Sequence, residues 1–285
     1  MKPGWGRYAL YSGLVLLVGG FLYALVGAVI TNNTGFETKT LWDWMELLIV
    51  PSVLAGGAFF LNRSERNTER EIANERQQDL ALQTYIDRMS ELLLKEKLRT
   101  TRKTEVHNVA RTRTLSIMRL LDTKRNNIVV QFLREAELIT DNKSIFIEAS
   151  MQEMNLGYLN LHFTKIQGAQ LGNADLHGVQ LEDADLQDAN LFHVNFQNAR
   201  LSGANLQDTN LQSANLQSAN LSGANLQGAF LADANLQGAQ LRRAKLQGAY
   251  LNNANLQGVK NLTEEQLASV KSLRGATMPD GTRHG

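Results

Sequence analysis

The residues whose type and spacing invite a chemical reading are few: three histidines, two aspartates and one aromatic pair. His162, His177 and His193 lie in a segment repeating every five residues, where residues 20 apart share a face. No two of them are 20 apart, so they are expected as solvated surface residues rather than as a metal site, which needs converging ligands. Asp188 and Asp208 do share a face. Hard cations take six or more oxygens, so two solvated carboxylates are the expectation there too. Phe230 and Tyr250 are also 20 apart, with Arg242, Arg243 and Lys245 on what should be neighbouring faces of the next coil. Exposed aromatics rimmed by bases have the composition of a protein contact, and ordinary cross-strand ring pairing is the alternative. No dinucleotide, Walker, H-E-x-x-H, G-x-S-x-G or kinase motif occurs, and cysteine is absent. No catalytic, cofactor-binding or metal residue is therefore assigned, and thiol chemistry and disulfide scaffolds are excluded.

Whatever these residues do, a repeat must hold them. From Ala149 the chain falls into pentads such as ADLHG, ANLQD, ANLSG and AKLQG, with central positions running from 151 to 256 in steps of five. The centre is Met151, then Leu except at Ile166 and Phe196; a small residue, mostly Ala, stands two places earlier. Five residues advance an α-helix by about 500°, so successive leucines would share no face. On a flat strand an odd period sends them to opposite faces. They share a core only if the backbone turns a corner in every pentad, and four corners close a coil of 20 residues. Leu206, Leu211, Leu216, Leu221 and Leu226, with Ala204, Ala214 and Ala224, then form the core.

The A-(D/N)-L-x-x pattern of residues 149–258 resembles the pentapeptide-repeat family. The resemblance implies a right-handed quadrilateral β-helix with Leu and Ala inward and Asn outward. It also makes stacked Asn and Gln ladders an expectation. At about 4.8 Å per coil, 22 pentads make a rod of roughly 26 Å. Its ends need caps against edge pairing. Thr263 and Gln266 have capping-box spacing for a short helix over Leu262, Leu267, Val270 and Leu273 within 259–285, and the preceding helical region is expected at the other end.

Residues 1–62 read as a two-span membrane hairpin. Residues 9–30 are almost wholly apolar, enough to cross about 30 Å of hydrocarbon. The second span, 41–61, opens on Asp43 and Glu46 with Trp42 and Trp44 as an interfacial belt, and Pro51 should kink it. Lys2 and Arg7 before the pair, and Arg63, Arg66 and Arg70 after it, place both termini on the cytoplasmic side.

Residues 63–148 should be α-helical. Between 63 and 140 there are 16 Lys+Arg, 12 Asp+Glu and no Gly or Pro. One apolar stripe runs through Leu82, Tyr85, Ile86, Met89, Leu92 and Leu93. A second includes Val106, Val109, Ala110, Ile117, Leu120 and Leu121, and a third helix capped by Asp122 or Thr123 includes Ile128, Val129, Phe132, Leu133 and Ala136. The stripes imply helix packing, with self-association through 80–140 as the alternative. His107 and the basic run Arg99, Arg102, Lys103, Arg111 and Arg113 are expected on a solvated face, the run with anionic lipid as an alternative partner.

The whole reads as a non-enzymatic scaffold in the plasma or thylakoid membrane of a prokaryote, its partners the bilayer and a membrane or cytosolic protein. The layout resembles membrane-anchored family members from photosynthetic prokaryotes. Two other readings are an accessory subunit of a transport system and an inhibitor of a nucleic-acid enzyme, since some family members bind DNA gyrase as an acidic rod. Against the latter, 149–258 carries eight acids and five bases, too weak a field to imitate DNA, and no nucleic-acid partner is expected.

Overall fold

The computed structural model describes residues 41–99 and 104–285. The chain divides into two units, 1–71 and 72–285. Helix α1, Leu41–Lys95, begins in the first and ends in the second. The span expected at 9–30 lies outside the described residues. The one expected at 41–61 is helical but does not stop at 61. The stretch that follows has no Gly or Pro and is rich in Arg, Glu, Gln and Leu, all good helix formers, so nothing ends the helix there. Among the described residues no helix is long and apolar enough to cross a membrane.

In the second unit, the end of α1 packs with α2 (Thr104–Met118) and α3 (Thr123–Glu135). Asp122 caps α3 by accepting from the Arg125 N–H at 2.8 Å. Leu82, Tyr85, Met89, Ala110, Val129 and Leu133 are buried, so the stripes are mainly core. Leu120, at 70% exposed, and the less exposed Val109 and Ile128 fall outside it. A buried cation locks the bundle. Arg125 donates to Asp79 at 2.8 Å, to Glu75 at 2.5 Å and to Asp122 at 2.5 Å. Hydrogen bonds to Asp79 and Glu75 raise its pKa further. Of the basic run, Arg102 and Lys103 lie outside the described residues, while Arg99 pairs with Glu137 and the half-buried Arg111 donates to the Ile145 carbonyl at 2.9 Å. His107 is likewise half-buried.

From Ser150 each pentad contributes one parallel bridge to the residue 20 places on, from Ser150–Gln170 to Gln240–Lys260. From Met151 to Leu241 each central N–H donates to the carbonyl 19 residues ahead, as Leu216 to Asn235 at 2.7 Å. The corner is a β-turn closed from the central carbonyl to the N–H three residues later, as Ala224 to Leu221 at 3.1 Å. Its third residue has positive φ at every corner, which is why Gly, Asn and Asp crowd that place. Leu206, Leu211, Leu216, Leu221 and Leu226 are fully buried, and Ala204, Ala214 and Ala224 with them. Thr164 and Thr209 stand in the Ala slot, their hydroxyls donating to Leu161 and Leu206 carbonyls at 2.6 and 2.7 Å.

Both rod ends are closed. Met118 and Phe146 cover the first leucines, leaving an internal space of about 10 Å³. The bare backbone of the first coil finds partners: Arg119 donates to Ser150 O, Arg134 to Asn160 O, Asn160 N–H to Asn127 and Lys165 N–H to Ile139 O. At the other end α4 (Glu264–Ala268) carries a complete Thr263–Gln266 capping box. The Gln266 amide also donates to Leu241 and Ala244 carbonyls at 2.8 Å each. Coiling does not end at 258, however. After α4 the ladder resumes with a two-residue offset, Tyr250–Ser272 and Asn255–Thr277, and finishes in the antiparallel bridge Thr277–Arg283. Leu273, Arg274 and Gly275 repeat the pentad corner that the two-residue insertion hides in the sequence.

Candidate interaction surfaces of the rod

Outward Asn residues do two jobs at once. Asn195 Oδ1 accepts the Gln197 N–H at 3.2 Å, fixing the corner, while its Nδ2 donates to the residue one coil earlier. The resulting ladders have a direction. On one face Asn255, Asn235, Asn215 and Asn195 donate in series and end on Asp175. On another, Asn225 and Asn205 end on Asp185. A carboxylate, which only accepts, suits the N-terminal end of such a ladder, although the ladder from Asn210 through Asn190 ends on the Gln170 amide oxygen instead.

Burial works to raise Asp175, but hydrogen bonds from the His177 ring and N–H and from Asn195 outweigh it and hold its carboxyl below the usual range. Asp185 is held low in the same way, against burial, by Lys165, the Gln187 N–H and Asn205. Depressed carboxylates contribute stability that is complete above the unfolded value, near 3.8, and is lost as pH falls through the folded ones. The rod should therefore loosen in acid, from pH about 4 downward. Asp185→Asn should flatten that dependence in denaturant unfolding followed between about pH 5 and 2.

The structure revises the expectations for the reactive residues. His177 is no solvated bystander. Its Nδ1 is 2.9 Å from Asp175 Oδ1, and its ring meets Tyr158 edge-on at 4.5 Å. His177 also lies over Gly157, where a Cβ would come within 2.5 Å of the ring, and Tyr158 covers Gly178 at 2.4 Å on the same measure. Two glycines thus make room for one interlocked pair. His162 is half-buried and its Nδ1 contacts Asn160 Oδ1; only His193, against Phe192, is exposed as expected. Asp188 and Asp208 each accept from the preceding glutamine, at 3.2 and 3.1 Å. Among the described residues no group of three or more His, Asp or Glu is placed to hold a metal.

Phe230 and Tyr250 are stacked, ring centroids 5.1 Å apart and planes within 5°. They interrupt a face that elsewhere carries the amides Gln170, Asn190 and Asn210. The bases do not surround them. Lys245 is exposed on the adjoining face, bridged to Asn225. Arg242 and Arg243 turn the corner beyond it, with residues 244–249 between Arg243 and Tyr250. Sequence register places residues along the rod well. A sequence separation of eight to twelve, however, crosses one or more corners, so closeness in sequence misleads there.

A corner in every pentad, a parallel bridge every 20 residues and a core of central leucines define a four-sided β-helix. Pentapeptide repeats match in eight copies at residues 144–183, 155–191, 189–228 and 219–258. The chain belongs to the pentapeptide-repeat family, whose fold is the right-handed quadrilateral β-helix. Among solved structures, a pentapeptide repeat protein from the cyanobacterium Cyanothece 51142 is 42% identical over 28% of this chain, with a TM-score of 0.20. The chain spans 58% of that protein's length. Another, from Nostoc PCC 7120, is 34% identical over 34% of this chain and 74% of its own, with a TM-score of 0.15. QnrB1, a plasmid-mediated fluoroquinolone resistance protein, is 17% identical over 47% of this chain and 79% of its own, with a TM-score of 0.25. At such TM-scores these likenesses carry no argument about function. No curated protein matches the chain.

Proposed function

We propose that the protein is a membrane-anchored, non-enzymatic scaffold that presents its rod at the cytoplasmic face to another protein. The observation that carries this reading is the Phe230–Tyr250 stack, which breaks an amide-covered face with 41%-exposed aromatic surface at Phe230. Aromatic surface on an otherwise polar rod has the composition of contact hot spots. The apolar run at 9–30 and the flanking Lys and Arg support the anchor and its orientation. The acid–base balance of the pentads does not favour a DNA-like role.

Phe230→Ala combined with Tyr250→Ala should remove the contact without unfolding the rod, because both side chains point out of the core. Crosslinking in native membranes should then lose one specific adduct while the melting temperature stays within a few degrees. An unchanged adduct pattern would remove this patch from the account.

A further inference from the structure

The helical bundle leaves a groove open between the end of α1 and α2. The two helices run antiparallel, as three contacts along them show. Gln78 accepts the Asp122 N–H at 3.0 Å, and Tyr85 Oη meets Thr114 Oγ1 at 2.8 Å. Further on, the Glu91 carboxyl is held low chiefly by Lys95 and also by Arg113 and Arg88. The groove encloses about 480 Å³, and its two walls share one spacing. Positions 80, 81, 84, 85 and 88 of α1 face 112, 113, 116, 117 and 120 of α2 and the turn after it. Such steps keep to one helix face, and eight residues of helix cover about 12 Å.

The two ends of the groove differ in chemistry. At one end Leu80 and Leu120 are each 70% exposed. At the other stand Arg88, exposed, and Arg113, half-buried. No carboxylate lines the groove, and neither guanidinium forms an ion pair among the described residues. Glu91, which feels both, is already bonded to Lys95 at 2.7 Å. Between the ends the floor offers Ala81, Ile117 and the Tyr85 ring. The Tyr85 hydroxyl is taken by Thr114, and Thr84 Oγ1 donates to the Leu80 carbonyl at 2.8 Å. The groove is thus apolar along most of its length and cationic at one end.

We infer that this groove seats an acidic amphipathic helix of a partner protein, with apolar side chains between Leu80 and Leu120 and carboxylates about two turns further along on Arg88 and Arg113. Two antiparallel helix faces with an apolar floor form the seat of a further helix, read through anchors three, four and seven residues apart. A free acyl chain suits it less, because walls 70% exposed at Leu80 and Leu120 leave most of such a ligand in water. The unpaired arginines set the sign of the partner's charge. A second copy docked groove on groove does not supply it, since its own lining holds no carboxylate. The inference rests on the scaffold reading for the premise of a protein partner. Phe230→Ala with Tyr250→Ala should leave this binding intact, so the two sites fail separately.

The test uses the full chain in phosphatidylcholine nanodiscs, with empty discs as background. The probe is a dye-labelled, blocked, Ala-rich peptide of about four helical turns, with leucines at one end of one face and a pair of glutamates about 10 Å further along it. Its neutral counterpart carries glutamines instead. Fluorescence anisotropy should show saturable binding of the acidic peptide, with the neutral one at least about tenfold weaker. Leu120→Gln changes an exposed side chain; it should melt with the parent yet bind about tenfold more weakly or worse. Arg88→Glu combined with Arg113→Glu should reverse the preference, toward a peptide with lysines in place of the glutamates. No saturable binding, equal binding of the neutral peptide, or undiminished binding by Leu120→Gln would each overturn the assignment. Dodecanoate binding where the peptide does not would give the groove to an acyl anion, and dimerisation of the chain lost in Leu120→Gln would give it to a second copy; either result would overturn it too.

Discussion

Leu216→Asp should abolish the folded rod. Leu216 is fully buried and its neighbours along the rod, Phe196 and Leu236, are buried too. The interior is one Leu and one small residue wide on each side, so a carboxylate there meets no water and no donor. Truncation to Ala alone would cost about 2–5 kcal/mol, and an unpaired polar or charged group adds several more. A domain's whole stability is about 5–15 kcal/mol. Because each coil rests only on its neighbours, loss at one level uncouples those on either side. Circular dichroism should show the β-signal lost and the cooperative melt gone, with Leu216→Ala intermediate. A Leu216→Asp protein that melts like its parent would show that this residue faces outward.

Phe146→Ala should strike at the N-terminal end of the rod in a different way. Phe146, 1% exposed, closes the core above Met151, Leu156 and Leu161 together with Met118. The truncation should cost about 3–5 kcal/mol, since a space of that size cannot be refilled by a tightly packed rod. The loss should also be local. Hydrogen exchange should accelerate first at the Asn160 and Lys165 amides, which depend on Asn127 and Ile139, and only later near Asn235. Exchange that rose evenly along the rod would mean the helices are not its cap. With the cap loosened, the bare edge of the first coil should also favour association, visible by light scattering.

The repeat was legible because a period of five suits neither a helix nor a flat strand, which left a corner per pentad as the only way to gather the leucines. Stacking of Phe230 on Tyr250 followed from the same register. Other features were hidden for physical reasons. Arg125 reads as one more surface base, because its partners Glu75 and Asp79 come from a helix some 50 residues earlier. The coil after α4 was masked by a two-residue insertion that shifts Leu273 out of phase. The aromatic corners at Tyr158 and Phe163 carried a signal that could have been used, namely bulky residues in a position that most other corners give to Gly, Asn, Asp or Ser.

The central claim, that the chain holds its rod at the cytoplasmic face of a membrane, is tested most directly by alkaline carbonate extraction combined with protease digestion of oriented vesicles. The account predicts that the full chain stays with the membrane pellet at high pH and that the rod is digested or released only when the cytoplasmic side is exposed. Release of the intact chain into the carbonate supernatant, or protection of the rod on that side, would contradict it.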